Sequence, residues 1–190
     1  MFQSSPQYWL NKYHEQILRA IKLSRQNCAE YGVIKPEYGR VLQIKGDINH
    51  TPIPESITNH AYFLFHTHPY NMCDPVRLNQ ELHKYIQSEF SGKFSKVDVL
   101  VAHQQDIISM IVGTFISENT VVLRGFNSSN LAHSRSEFIM LSDSFLEYYY
   151  TYLTAGISSD TLIEKKLKQV SDKIKVFQNK YMPILETIRI

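Results

Sequence analysis

The stretch Ala61-Tyr62-Phe63-Leu64-Phe65-His66-Thr67-His68-Pro69 constrains the fold more than any other part of the chain. Its density of aromatic and aliphatic side chains predicts a strand over 61–67. Side chains on a strand alternate between faces, so His66 and His68 share one face at the strand's end and Thr67 takes the other. Two imidazoles so placed can grip one ion, and zinc is the ion they suit. With eight histidines and seven prolines in the chain, an H-x-H-P tetrad arises by chance in about one of a hundred such sequences. The motif therefore needs support from elsewhere in the chain.

A catalytic zinc takes three protein ligands and keeps one position open for water. Phe94-Ser95-Lys96-Val97-Asp98 supplies a carboxylate. It follows Ser91-Gly92 and precedes the apolar residues 99–102, the pattern of a turn entering a short helix, with Ser95 at the cap and Asp98 in the first turn. Taken alone, Ser95 to Asp98 is a helix start. Beside the two histidines, Asp98 becomes the third ligand. Cys73 and Asp74 follow His68 closely and offer a competing His-His-Cys set. His103 falls just past the Asp98 helix, His83 is expected on the exposed side of a helix predicted between Pro69 and Ser95, and His14, His50, His60 and His133 have no site spacing.

H-[ST]-H-P followed by S-x-x-D, with a glutamate upstream, resembles the JAMM motif of MPN-domain zinc isopeptidases. The resemblance covers Glu30 to about Arg124, roughly half the chain. It implies an α/β, MPN-like (cytidine-deaminase-like) fold: a curved, mostly antiparallel sheet flanked by helices. It also implies roles. His66, His68 and Asp98 would bind Zn2+, Ser95 would help hold the oxyanion, and Glu30 would be the general base, since Glu30-Tyr31-Gly32 resembles the family's Glu-x-Gly entry to an early strand. Glu37, in Pro36-Glu37-Tyr38-Gly39, offers a similar local pattern and stays open as an alternative. The implied activity is hydrolysis of amide bonds at the C-terminus of ubiquitin or a ubiquitin-like protein. A catalytically silent scaffold and a processing peptidase of a phage, toxin or defence system, acting on a partner polypeptide, are the two other readings. One departure is plain: residues 70–94 separate Pro69 from Ser95, a gap more than twice that of compact family members. Within it Leu78, Leu82, Ile86 and Phe90 form an i, i+4 stripe that predicts a short helix, either a lid or an element that displaces Asp98.

The rest of the chain supplies the frame. Ser5-Pro6 predicts an N-cap with proline at the first helical position, and Trp9, Tyr13, Ile17 and Ile21 predict one amphipathic helix ending near Asn27. Strands are predicted over 31–34, 39–44, 107–114 and 120–124, with a loop over 49–59 and a hairpin turn at Ser117-Glu118-Asn119. Helices follow over 137–153, stopped by Gly156, and beyond Asp160, where Ile163, Leu167, Val170, Ile174, Phe177 and Tyr181 form a heptad seam. That seam can pack on its own domain or pair with a second copy or a partner. The chain is read as one domain, 1–190, with the motif core over 28–125 and a helical extension over 130–190.

A net charge of +2, with no Lys/Arg-rich run, speaks against nucleic-acid binding. No apolar run reaches about 18 residues and no signal segment opens the chain, so a membrane role is not expected and a cytoplasmic location is. Cys28 and Cys73, the only cysteines, could form one disulfide but are expected as free thiols in a reducing cytosol.

Overall fold

A computed structural model describes residues 5–47, 51–54, 60–69, 95–154 and 161–190. The elements are α1 (Pro6–Lys12), α2 (His14–Asn27), β1 (Tyr31–Pro36), β2 (Leu42–Lys45), β3 (Ala61–His68), α3 (Lys96–Gln104), β4 (Ile107–Ser117), β5 (Thr120–Asn127), α4 (Ser128–Leu131), α5 (Arg135–Thr154), α6 (Thr161–Tyr181) and β6 (Ile184–Arg189). The stripe Leu78 to Phe90, the Gly156 stop and the competing ligands Cys73 and Asp74 lie outside the described residues.

The six strands form one open sheet in the order β2-β1-β3-β4-β5-β6. Every neighbouring pair is antiparallel except β3 with β4, which run parallel and place His66 beside Val112 and His68 beside Thr114. Helices cover both faces. On one, Trp9, Leu10, Ile17 and Ile21 of α1 and α2 pack on Val33, Phe63, Phe65 and Ile111. On the other, Val99 and Ala102 of α3, Phe138 and Phe145 of α5 and Ile174 and Phe177 of α6 pack on Ile34, Leu64 and Met110. This layering explains why β3 reads as an unbroken apolar run: it lies mid-sheet and is buried on both faces.

Three expectations about elements are corrected. The single N-terminal helix is two helices, because Tyr13 leaves helical geometry (φ −117°, ψ 26°). Its ring still stacks on Trp9 at 5.8 Å and on Phe63 at 6.1 Å, so the i, i+4 stripe survives the break. The C-terminal region ends in a strand rather than a helix: beyond Pro183, β6 pairs with β5, Ile188 opposite Val121. Its six edge-strand residues, of which only Ile188 is buried, carry too short a pattern to separate from the tail of a helix. Cys28 is disulfide-bonded rather than a free thiol. Pairing depends on whether the fold brings two Cβ atoms within about 4 Å, which local sequence does not specify.

The heptad seam of α6 faces inward. Ile174 and Phe177 are buried and Leu167, Val170 and Tyr181 pack against the same core, with Phe177 stacked on Phe138 at 5.2 Å. Among the described residues no helix is long and apolar enough to cross a membrane.

Candidate metal centre

β3 delivers His66 and His68 to the face covered by α3, and the first turn of α3 delivers Asp98. The helix start holds that carboxylate. Ser95 is the N-cap, in extended geometry, and its Oγ accepts from the Asp98 N–H at 3.1 Å. Asp98 Oδ2 accepts in return from the Ser95 N–H at 2.6 Å, closing a capping box. The two carboxylate oxygens thus divide their work: Oδ2 is fixed by the helix, and Oδ1 lies 2.9 Å from His66 Nε2.

The two imidazole Nε2 atoms are 3.1 Å apart, and His68 Nε2 is 3.8 Å from Asp98 Oδ2. All three side chains are buried, and their ligand atoms fall within 4.8 Å of one another. A tetrahedral zinc with bonds of 2.0–2.1 Å separates its ligands by about 3.3 Å. The two imidazole nitrogens stand near that spacing at 3.1 Å, and the carboxylate lies close to it on the His66 side at 2.9 Å and farther from His68 at 3.8 Å. Two imidazole nitrogens aimed at one point repel unless a proton or a cation lies between them. The donor set fits zinc. It is the one convergent group of three such donors among the described residues.

The electrostatics follow from burial and proximity. Burial pushes His68 down to about 4, with His66 reinforcing and Asp98 opposing. Burial acts the same way on His66, but the charge and hydrogen bond of Asp98 outweigh it, so the net direction is up. Burial alone would raise Asp98; the two histidines and the Ser95 N–H hold it down at about 2. An ionised carboxylate beside two imidazoles, one of which resists protonation, is the charge state a divalent cation needs.

Glu30 joins the same cleft, a cavity of about 360 Å³ that also admits Thr51, Ser95 and Val97. It sits just before β1 and is buried (3% exposed). Its N–H donates to the Asp47 carbonyl at 2.6 Å, and its carbonyl accepts from the Gly46 N–H at 2.9 Å. Its Oε2 accepts from the Thr51 hydroxyl at 2.8 Å. Two residues on, Gly32 lies opposite His66. A Cβ there would stand 2.8 Å from the Phe65 carbonyl oxygen and 2.7 Å from Ile44 Cγ1, so this close approach demands glycine.

The structure brings His66, His68, Asp98, Ser95 and Glu30 together and leaves Glu37 out. Glu37 lies past the other end of β1, half-buried, with its N–H donating to the His60 carbonyl at 3.3 Å. His60 pairs with Asp106 at 2.6 Å and His14 with Glu186 at 3.6 Å, whereas His133 is exposed. His103 borders a separate groove of about 490 Å³ with Asp106, Asn127 and Arg135. His50 and His83 lie outside the described residues. Sequence reasoning missed Thr51, which sits in an irregular segment and carries no motif.

No family model, curated protein or solved structure matches this chain. The fold and the site geometry therefore carry the functional reading.

Proposed function

We propose that this chain is a zinc-dependent peptidase or isopeptidase of the JAMM/MPN type. Its substrate in this reading is the amide bond at the C-terminus of ubiquitin or a ubiquitin-like protein. The observation that carries the proposal is the convergence of two imidazoles and one carboxylate on a single point, with a second buried carboxylate, Glu30, in the same cleft. The mixed sheet with helices on both faces supports the MPN-like reading of the fold, and the substrate rests on the sequence resemblance.

Bound zinc would supply Lewis acidity and a water acidic enough to ionise near neutral pH. The protein's residues account for the rest. Glu30, whose carboxylate shares the cleft with the three donors, would serve as the general base and hand its proton on to the departing amine. Thr51 orients the Glu30 carboxylate by donating to Oε2. Ser95 Oγ uses a lone pair to accept from Asp98, which leaves its own O–H to donate toward a developing oxyanion in the cleft.

Purified protein analysed for metal, then assayed on a linear peptide and on a ubiquitin conjugate, tests the reading. One zinc per chain with hydrolysis that falls by about 10²–10⁴ in Glu30→Gln at unchanged zinc supports it. Zinc-loaded protein with no hydrolysis of either substrate favours a catalytically silent scaffold. Cleavage of the linear peptide alone favours a processing peptidase. If Glu37→Gln loses turnover and Glu30→Gln does not, the base is misassigned.

A further inference from the structure

Thr67, the residue between the two histidines, points away from the cleft and is fully buried. There its hydroxyl joins a chain of hydrogen bonds with one direction. The Tyr31 N–H donates to Thr67 Oγ1 at 2.9 Å, Thr67 donates to Ser24 Oγ at 2.8 Å, and Ser24 donates to the Ala29 carbonyl at 2.7 Å. Each hydroxyl has one proton, so these bonds use the two protons once each; the longer approach of Thr67 to the Tyr31 carbonyl, 3.4 Å, is the weaker claim on the same proton.

The two ends of this chain bracket Glu30. The Ala29 carbonyl belongs to the peptide unit before its Cα, and the Tyr31 N–H belongs to the unit after it. The other polar groups of those same two units, the Glu30 N–H and carbonyl, are bound to Asp47 and Gly46. All four groups are thus anchored, two to the strand edge and two to the Thr67–Ser24 pair. Fixing both peptide planes fixes φ and ψ of Glu30, and hence the direction of its Cα–Cβ bond into the cleft.

We propose that Thr67 and Ser24 are positioning residues that set the distance between the Glu30 carboxylate and the metal. Thr67 is suited to this because it shares two peptide bonds with the ligands: any shift of His66 and His68 along β3 carries the anchor of Glu30 with it. The inference rests on the hydrolase reading above. It extends that reading behind the sheet, to residues that touch neither substrate nor metal.

The test combines Thr67→Val, which keeps the shape and removes the hydroxyl, with Thr67→Ser, which restores it, and with Ser24→Ala as a second break in case the valine variant does not fold. In zinc-loaded protein, Thr67→Val is expected to keep zinc content and KM and to lower kcat by about 10², the scale of a misplacement near 1 Å. Thr67→Ser should recover most of that loss. Placed in a Glu30→Gln background, Thr67→Val should remove nothing further, since its effect runs through Glu30 alone. In metal-free protein, amide hydrogen exchange at Tyr31 should speed up in Thr67→Val and Ser24→Ala while exchange at Met110 in the core stays unchanged. An unchanged kcat in folded Thr67→Val or Ser24→Ala overturns the inference, as does an equal loss in the Glu30→Gln background, or exchange that rises across the whole sheet. Wild-type protein that holds zinc and cleaves nothing sinks the hydrolase reading instead.

Discussion

Asp98→Asn isolates the charge of one ligand while preserving its shape. At neutral pH the ionised carboxylate stabilises the fold, because its folded pKa of about 2 lies below its ordinary value of 3.8. A depressed carboxylate contributes stability above its unfolded pKa and loses it as the pH falls through the folded one. That depression corresponds to roughly 2 kcal/mol at pH 7. For a chain of this size that is a fall of about 4–8 °C in Tm for the metal-free protein. Metal adds a second and larger difference. On the zinc reading, free zinc at about 1,000 times its Kd is expected to stabilise the native wild type by about 4 kcal/mol, or about 8–16 °C. A neutral carboxamide is a poor ligand beside two imidazoles, so the zinc-induced rise should shrink to a small fraction in Asp98→Asn. Thermal scans at pH 7 of chelator-treated and zinc-supplemented protein, wild type beside variant, read both effects. Asp98→Asn that keeps the full zinc-induced rise would refute the assignment of Asp98 as a ligand. A wild type with no rise would refute the metal centre altogether.

Three further outcomes follow from the same geometry. Gly32→Ala places a methyl 2.8 Å from the immobile Phe65 carbonyl, so β1 must move off β3; denaturant unfolding should register a loss of about 1–3 kcal/mol, and turnover should drop more than zinc content. Ser95→Ala removes the N-cap acceptor of α3 and should lower stability by about 1 kcal/mol, while hydrolysis falls by about 10²–10³ with zinc retained; full hydrolysis in this variant removes Ser95 from the oxyanion role. In metal-free protein, acidification should destabilise the fold between about pH 6.5 and 4: His68 is held down at about 4, so the unfolded chain takes up its proton first. His66, shifted the other way, contributes stability below about 6.5 that is lost as the pH rises through its folded pKa; a urea series across pH 4–7 that shows no net loss on the acid side contradicts the His68 assignment.

How each candidate ligand is presented is a local matter, and local pattern was enough to read it. Period-two alternation puts His66 and His68 on one face whatever β3 pairs with. The spacing of Ser95 and Asp98 makes a capping box because residues N-cap and N3 meet in any helix start. Ser5 accepting from the Tyr8 N–H and the turn between β4 and β5 belong to the same category, as does the inward α6 seam once a core exists to receive it.

What joins these pieces is not local. Glu30 and Glu37 carry similar neighbourhoods, and the sequence alone leaves both open as the base. They lie at opposite ends of β1, roughly 20 Å apart, and the antiparallel register with β3, Gly32 opposite His66, brings Glu30 rather than Glu37 to the cleft of His66, His68 and Asp98. The hydrogen bonds of Thr51 to Glu30 and of Thr67 to Ser24 join chain segments separated by 21 and 43 positions, a distance at which no sequence period operates. The pairing of Cys28, the break at Tyr13 and the strand β6 were likewise decided by what each segment meets. Sequence periodicity fixes the face on which a side chain emerges, because the backbone repeat does so residue by residue. Strand order and register fix which faces meet, because they are set by the burial of both sheet faces at once, and only the assembled core supplies that.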